Sequence, residues 1–260
     1  MSSRRIHPTA IVDPGAELAD HVEIGPYCMV GSRVRLGPGC CLESHVVLAG
    51  ETSIGADCRF SPFSSIGGRP QDLKFKGELT RLEIGSRNVF RESITIHVGT
   101  RGGGGVTRIG DDNYFMAYVH VAHDCDIGNR TLLANAATLA GHVLVEDRAT
   151  IGAYSGVHQF CRIGRQAFIG GYSVITRDAL PYVLTVGNRA ASHGINVIGL
   201  RRGHMPEETI QCLRRAYRIL FRSRLTRARA LERVEEEMGG VEEIAVMIRF
   251  VRESSRGIVT

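Results

Sequence analysis

Tryptophan is absent from the 260 residues, aromatics make up only 6%, and no long apolar run occurs. Large rings usually fill wide globular cores, so their scarcity favours a narrow one. No stretch approaches the roughly 20 apolar residues that span a bilayer, which excludes a membrane-spanning helix. The start, Met1-Ser2-Ser3-Arg4-Arg5-Ile6-His7-Pro8, is not followed by an apolar run of signal-peptide length, so a cytoplasmic location is expected. The seven cysteines are odd in number and form no CxxC pair, which argues against a disulfide framework or a zinc ribbon. A net charge of +5 suggests acidic partners or substrates without naming them. Glycine, at 31 residues, is what the chain has in plenty. It suits tight corners.

An aliphatic or aromatic residue falls at every sixth position from Ile6 through Val12, Leu18, Ile24, Val30, Leu36, Leu42, Leu48, Ile54 and Phe60 to Ile66. The phase returns at Ile84, Phe90 and Ile96, and again without a gap from Ile109 to Ile175. Six fits neither the 3.6 of a helix nor the 2 of a strand. It is the period of a solenoid in which each hexapeptide forms one flat side and about 18 residues form a triangular coil. The expected fold is an all-β solenoid, a left-handed parallel β-helix of hexapeptide repeats, with a small C-terminal α-helical domain.

The phase assigns residues 1–190 to the solenoid, with about nine coils, and 191–260 to the helical domain. Insertions near 67–83 and 97–108 interrupt it. In repeat proteins such insertions become loops that often carry binding. Pro206 can open a helix, with Glu207 and Glu208 at its positive end. Gly239-Gly240 should break the helical region, and Val241, Ile244, Ile248 and Val251 suggest a last helix. Flat-sided prisms commonly pack in threes, so a homotrimer with its site between neighbours is expected.

Residues about 18 apart should stack on adjacent coils. That rule puts His123 under Gly141, Gly141 under Gln159, and Asp124 under His142, with His158 alongside. His120 shares a coil with His123, and His97 opens the second insertion. Three readings fit this cluster. One is general-base catalysis, with an imidazole oriented by Asp124 and the side-chain-free Gly141 amide facing an oxyanion. Another is a metal site built from His97, His120, His123 and His142. The third is polar capping of solenoid corners. His120 and His123 should face different sides of an extended segment, which disfavours shared ligation, and neither metal nor cofactor is expected. No nucleophile elbow stands out, and nothing around Cys125 or Cys161 demands a thiolate, so direct attack by a bound substrate fits better than an acyl-enzyme. Gly102 to Gly105 reads as a flexible loop. Arg214, Arg215, Arg218, Arg222, Arg224, Arg227 and Arg229 lie in a stretch without an acid. They suggest a dock for an acidic macromolecule. Nucleic acid is not expected, because interleaved aromatics are missing.

The ordered motifs His7-Pro8-Thr9-Ala10, Gln71-Asp72-Leu73-Lys74, Ala122-His123-Asp124-Cys125, Leu139-Ala140-Gly141-His142, Val157-His158-Gln159-Phe160-Cys161 and Gly187-Asn188 run along nearly the whole chain. Together they resemble the UDP-N-acetylglucosamine acyltransferases of lipid A biosynthesis, which move a 3-hydroxyacyl chain from acyl carrier protein to the sugar 3-position. The resemblance implies that His123 is the general base, Asp124 its orienting carboxylate and Gly141 the oxyanion donor. It implies that Gln71, Asp72, Lys74, His97, His120, His142, His158 and Gln159 contact substrate, that Asn196 and Arg202 hold the nucleotide, and that the Arg214–Arg222 helix docks the carrier protein. Gly171 matches a position that limits acyl length, where glycine implies a longer, roughly myristoyl-like chain. The chain departs from the family at Ile198, where an acidic residue is common, and around Leu200-Arg201-Arg202-Gly203-His204, one residue short of the usual basic run. A sister subgroup acylates a 3-amino sugar. A hexapeptide carbonic anhydrase, the later N-acyltransferase of the same pathway and a non-catalytic prism are the rival readings.

Overall fold

A computed structural model describes residues 4–260. Three sheets of short strands wrap one prism, and each pairs parallel strands three apart in sequence except at the far end of the first sheet. The first begins at Arg5–Ile6, the second at Ile11–Val12 and the third at Glu17–Leu18; they hold eleven, nine and eight strands among the described residues. This is the expected left-handed parallel β-helix.

The inward residues are those of the six-residue phase. Leu42, Leu48, Phe60, Ile66, Phe90, Phe115, Leu133, Ile151 and Ile169 are almost wholly buried. Phe60, Phe90 and Phe115 form a ring stack down the first sheet, with centroids 4.7 and 4.9 Å apart. Phe60 pairs directly with Phe90, and Phe90 with Phe115, although an insertion separates each pair in sequence. The insertions therefore bulge outward without shifting the core register. Cys28, Cys40, Cys58, Cys125 and Cys161 are free, buried thiols packed in this core.

At each corner one residue takes a left-handed conformation, such as Asp124, His142 and Phe160 with φ of 58°, 61° and 62°. That conformation costs a non-glycine residue roughly 1 kcal/mol. A bond from its N–H to the coil below offsets the cost, as from His142 to the His123 carbonyl at 3.1 Å.

Beyond the prism the sequence reading needs correction in detail. It ended the repeat near Pro181 and gave residues 191–260 to a helical domain with a helix opening at Pro206. Instead the chain adds a last strand, Val183–Val186, to the first sheet and turns back through an antiparallel strand, Ala191–Ile195. Four helices follow: α1 (Val197–Arg202), α2 (Glu207–Arg222), α3 (Arg227–Met238) and α4 (Glu242–Arg252). Pro206 sits just ahead of α2 and Gly239 just past α3, close to the expected signals. The break between α2 and α3 was not foreseen; Thr226 caps α3 there by accepting the Arg229 N–H. The helices bury a second core around Leu200, Ile210, Leu213, Val234, Ile244 and Phe250.

The ring stack should carry much of the prism's stability. Phe90→Ala is expected to cost about 3–5 kcal/mol, read as a lower urea midpoint with an unchanged slope. A loss below about 1 kcal/mol would mean that the coils relax around the void.

Candidate active site

Both insertions leave the prism at one corner, between the second and third sheets. The first joins the strand Ser65–Gly68 to Arg81–Ile84, and the second joins Thr95–His97 to Val106–Ile109. His123, Gly141 and Gln159 follow second-sheet strands at the same corner. The stacking rule thus brings the histidine cluster and the loops together.

His123 is almost buried, and its Nδ1 lies 2.7 Å from Asp124 Oδ2. A carboxylate can only accept, so Nδ1 carries the proton and Nε2 is left with its lone pair. Gly141 lies beneath the ring. A Cβ added there would stand 2.6 Å from His123 Cε1, so only glycine admits this imidazole position. No acceptor among the described residues engages the Gly141 N–H.

More imidazoles surround the pair. His142 meets His123 edge-on at 5.2 Å and stacks on Phe160 at 4.4 Å. His97 meets His120 edge-on at 5.0 Å, and Thr95 Oγ1 lies 2.7 Å from His120 Nδ1. Burial, reinforced by His120 and His123, pulls His97 down from 6.5 to about 4. His120 and His142 are lowered too, chiefly by burial. Neutral rings at physiological pH can each donate and accept, which suits a sugar's hydroxyls. Among the described residues, His97 Nδ1 is buried without a partner.

The thiols are poor nucleophile candidates. Burial pushes Cys125 up to about 12, and Cys161 is raised by the same cause. Among the described residues, His123, Asp124 and His142 offer ligand atoms within 4.8 Å of one another and are the group that could hold a metal ion. His120 is outside that group, as its place on the flat second sheet requires.

The remaining candidates are spread around the prism. Asp72 and Lys74 line a cleft between the two insertions with Lys76, Glu78, Thr100 and Arg101; Gln71 is exposed beside it. His158 accepts a contact from Arg256 Nη2 at 3.1 Å, from the C-terminal segment. Gly171 lies at a different corner, between the first and second sheets, beside Ala153. Asn196 belongs to the third corner. Its side chain caps α1 through the Gly199 N–H at 3.1 Å and donates to the Gln166 carbonyl at 3.2 Å. Arg202 is exposed at the end of α1. Within one chain, His123, Gly171 and Asn196 therefore do not share a cavity. The Arg214–Arg222 face is also less uniform than its sequence suggests. Arg215 pairs with Glu237 of α3 at 2.5 Å and Arg214 is half-buried, whereas Arg218 and Arg222 are exposed. Sequence reasoning missed Thr100, Gly103 and Thr107, which touch Asp124. Nothing in the repeat phase marks them.

The buried imidazoles give stability a pH signature. The folded value of His97 lies below its ordinary 6.5, so the unfolded chain binds the proton first as pH falls. Its contribution is full above about 6.5 and is lost progressively towards about 4. Urea titrations across that window should show falling stability with a smaller slope in His97→Asn; an equal slope in the variant would contradict the assignment.

Residues 178–259 match a family described as UDP N-acetylglucosamine O-acyltransferase, domain 2, and residues 107–141 match the bacterial transferase hexapeptide. The acyl-[acyl-carrier-protein]–UDP-N-acetylglucosamine O-acyltransferase of Paraburkholderia phymatum is 48% identical, over 98% of this chain and 99% of its own. Among solved structures, LpxA from Acinetobacter baumannii superposes with a TM-score of 0.95 at 44% identity, covering 98% of this chain and 99% of that one. The UDP-N-acetylglucosamine O-acyltransferase of Moraxella catarrhalis gives 0.94 at 44%, with the same coverage. Likeness of this depth along almost the entire length means that the chain belongs to the UDP-N-acetylglucosamine O-acyltransferase family.

Proposed function

We propose that this protein transfers a 3-hydroxyacyl chain from acyl carrier protein to the 3-hydroxyl of UDP-N-acetylglucosamine, the first step of lipid A synthesis, with His123 as general base and no acyl-enzyme. The carrying observation is the His123–Asp124 pair at 2.7 Å, set over a glycine whose N–H is unengaged. His123 Nε2 takes the proton of the sugar hydroxyl as its oxygen attacks the thioester carbonyl. The Gly141 N–H faces the oxyanion that forms. Collapse breaks the carbon–sulfur bond, and the departing carrier thiolate recovers the proton from His123. The high-lying Cys125 thiol supports direct transfer rather than a cysteine intermediate.

Around that centre, Gln71, Asp72, Lys74, His97, His120, His142, His158 and Gln159 form the acceptor and donor contacts, and the exposed Arg218 and Arg222 steer the acidic carrier protein. Arg214 and Arg215 contribute less to steering, because one is half-buried and the other is paired. Gly171 bounds the acyl chain and favours a long one. The placement of His123, Gly171 and Asn196 at three corners supports a homotrimer in which a neighbouring prism completes the site. Asn196 and Arg202 would then serve the neighbour's nucleotide.

The test is turnover of UDP-N-acetylglucosamine with a panel of 3-hydroxyacyl carrier proteins, read by mass spectrometry. One added hydroxyacyl group is expected, with the longest chains preferred. His123→Ala should lose about 10²–10⁴-fold in kcat with an unchanged thermal midpoint. A fully active variant would refute the base assignment, and product only with a 3-amino sugar would move the acceptor.

A further inference from the structure

Asp124 is a buried carboxylate whose side chain is only 1% exposed, and such a group must be well supplied with donors. His123 supplies one. The others come from a single residue outside the repeat, Thr100 in the second insertion. The Thr100 N–H donates to Asp124 Oδ1 at 2.7 Å, and the Thr100 hydroxyl donates to Oδ2 at 2.6 Å. Oδ2 is thus shared between Thr100 and His123. Behind it, the Asp124 N–H donates to Thr107 Oγ1 at 2.8 Å, which fixes the backbone of the aspartate.

The turn that carries Thr100 is itself pinned. The Thr100 carbonyl accepts from the Gly103 N–H at 3.1 Å and the Gly105 N–H at 2.8 Å. Gly105 in turn accepts from the Arg81 N–H at 2.9 Å. Gly103 lies flat on the Asp124 carboxylate, so that a Cβ there would overlap its oxygens. Gly104 and Gly105 take φ of 93° and 79°, which a side chain would strain. The sequence expectation of a flexible glycine loop is therefore overturned. Gly103 is needed to bring backbone down onto the aspartate, and Gly104 and Gly105 to make the turn behind it.

We propose that Thr100 is a positioning residue for the catalytic pair, and that the glycine-rich turn exists to aim and cover Asp124; this rests on the acyltransferase reading. The reason such a device is needed is next to the pair. His142 Nε2 lies 3.8 Å from the same Oδ2 and competes for it. With both oxygens held by Thr100, the carboxylate stays in the orientation that serves His123. His123 keeps its proton on Nδ1 and its lone pair on the attacking side. Without the hydroxyl the carboxylate can turn towards His142, and the base loses its fixed direction.

Thr100→Val keeps the shape and removes only the hydroxyl donor. It is expected to lower kcat about ten- to hundred-fold, with KM for both substrates within about two-fold. Thr100→Ser should restore most of kcat. In an Asp124→Ala background, Thr100→Val should cost nothing further, because the partner through which it acts is gone. Wild-type kcat in Thr100→Val, or the same fractional loss with and without Asp124, would overturn the proposal. If Thr100→Val does not fold, Gly103→Ala is the second probe, with the same expected loss in kcat. A readout independent of turnover separates this proposal from the functional reading. In protein labelled with 15N-histidine, the His123 Nδ1 proton should be observed in the wild type and broadened or lost in Thr100→Val. An unchanged signal would overturn the positioning role even if no acceptor were ever turned over, whereas absence of turnover with a changed signal would count against the acyltransferase reading alone.

Discussion

Everything in this molecule depends on the parallel ladder that locks each coil to the one below. Because Phe60 must sit on Phe90 and Phe90 on Phe115, the chain cannot absorb an insertion by slipping register. A slip would turn apolar residues to water along a whole side of the prism. Extra residues can leave only at a corner. Both insertions do so at the corner of His123 and Gly141, and the ladder thereby decides where loops and imidazoles meet. The rigidity that makes the core also sets the precision of the site: Gly141 holds the ring above it because its own coil is paired above and below.

The same rigidity separates groups that the proposed reaction would use together. His123 and Gly141 belong to one corner, Gly171 to a second and Asn196 to the third. A prism of this kind does not bend to close a cleft upon itself. A second prism, presenting one of its other corners, is the direct way to complete the site, which is why the trimer forms part of the functional reading.

The fold was legible because it is written in a period. Ile6 to Ile175 mark the inward side of every coil, and the arithmetic of stacking alone puts His123, Gly141 and Gln159 at one edge. What escaped depends on irregular backbone. The hairpin Val183–Val186 with Ala191–Ile195 lies past the last hexapeptide and closes the prism end. The pairing of Arg215 with Glu237 joins two helices whose relative placement no local pattern encodes. The motifs singled out Asn196, but its amide is engaged in capping α1 and in holding Gln166. That use leaves Ile198, Arg201 and Arg202 as the exposed groups of α1, with Arg201 paired to Glu207.

The second insertion shows most clearly why composition misleads. Four consecutive glycines, Gly102 to Gly105, suggest freedom, since glycine has the most conformations to lose. In the folded chain that entropy is given up, because Thr100, Gly103 and Gly105 are tied by backbone bonds and the turn rests on a buried carboxylate. A loop bought at that cost is difficult to explain as a mere connection, for the strands Thr95–His97 and Val106–Ile109 belong to adjacent sides and need only a corner between them. The same logic distinguishes Asp124 from the surface acids of the prism. Glu83 and Asp112 are satisfied by arginines that water can replace, whereas Asp124 depends on a threonine and a histidine from which water is excluded. Burial makes its hydrogen bonds strong and their geometry strict, and both hold the His123 imidazole in one direction.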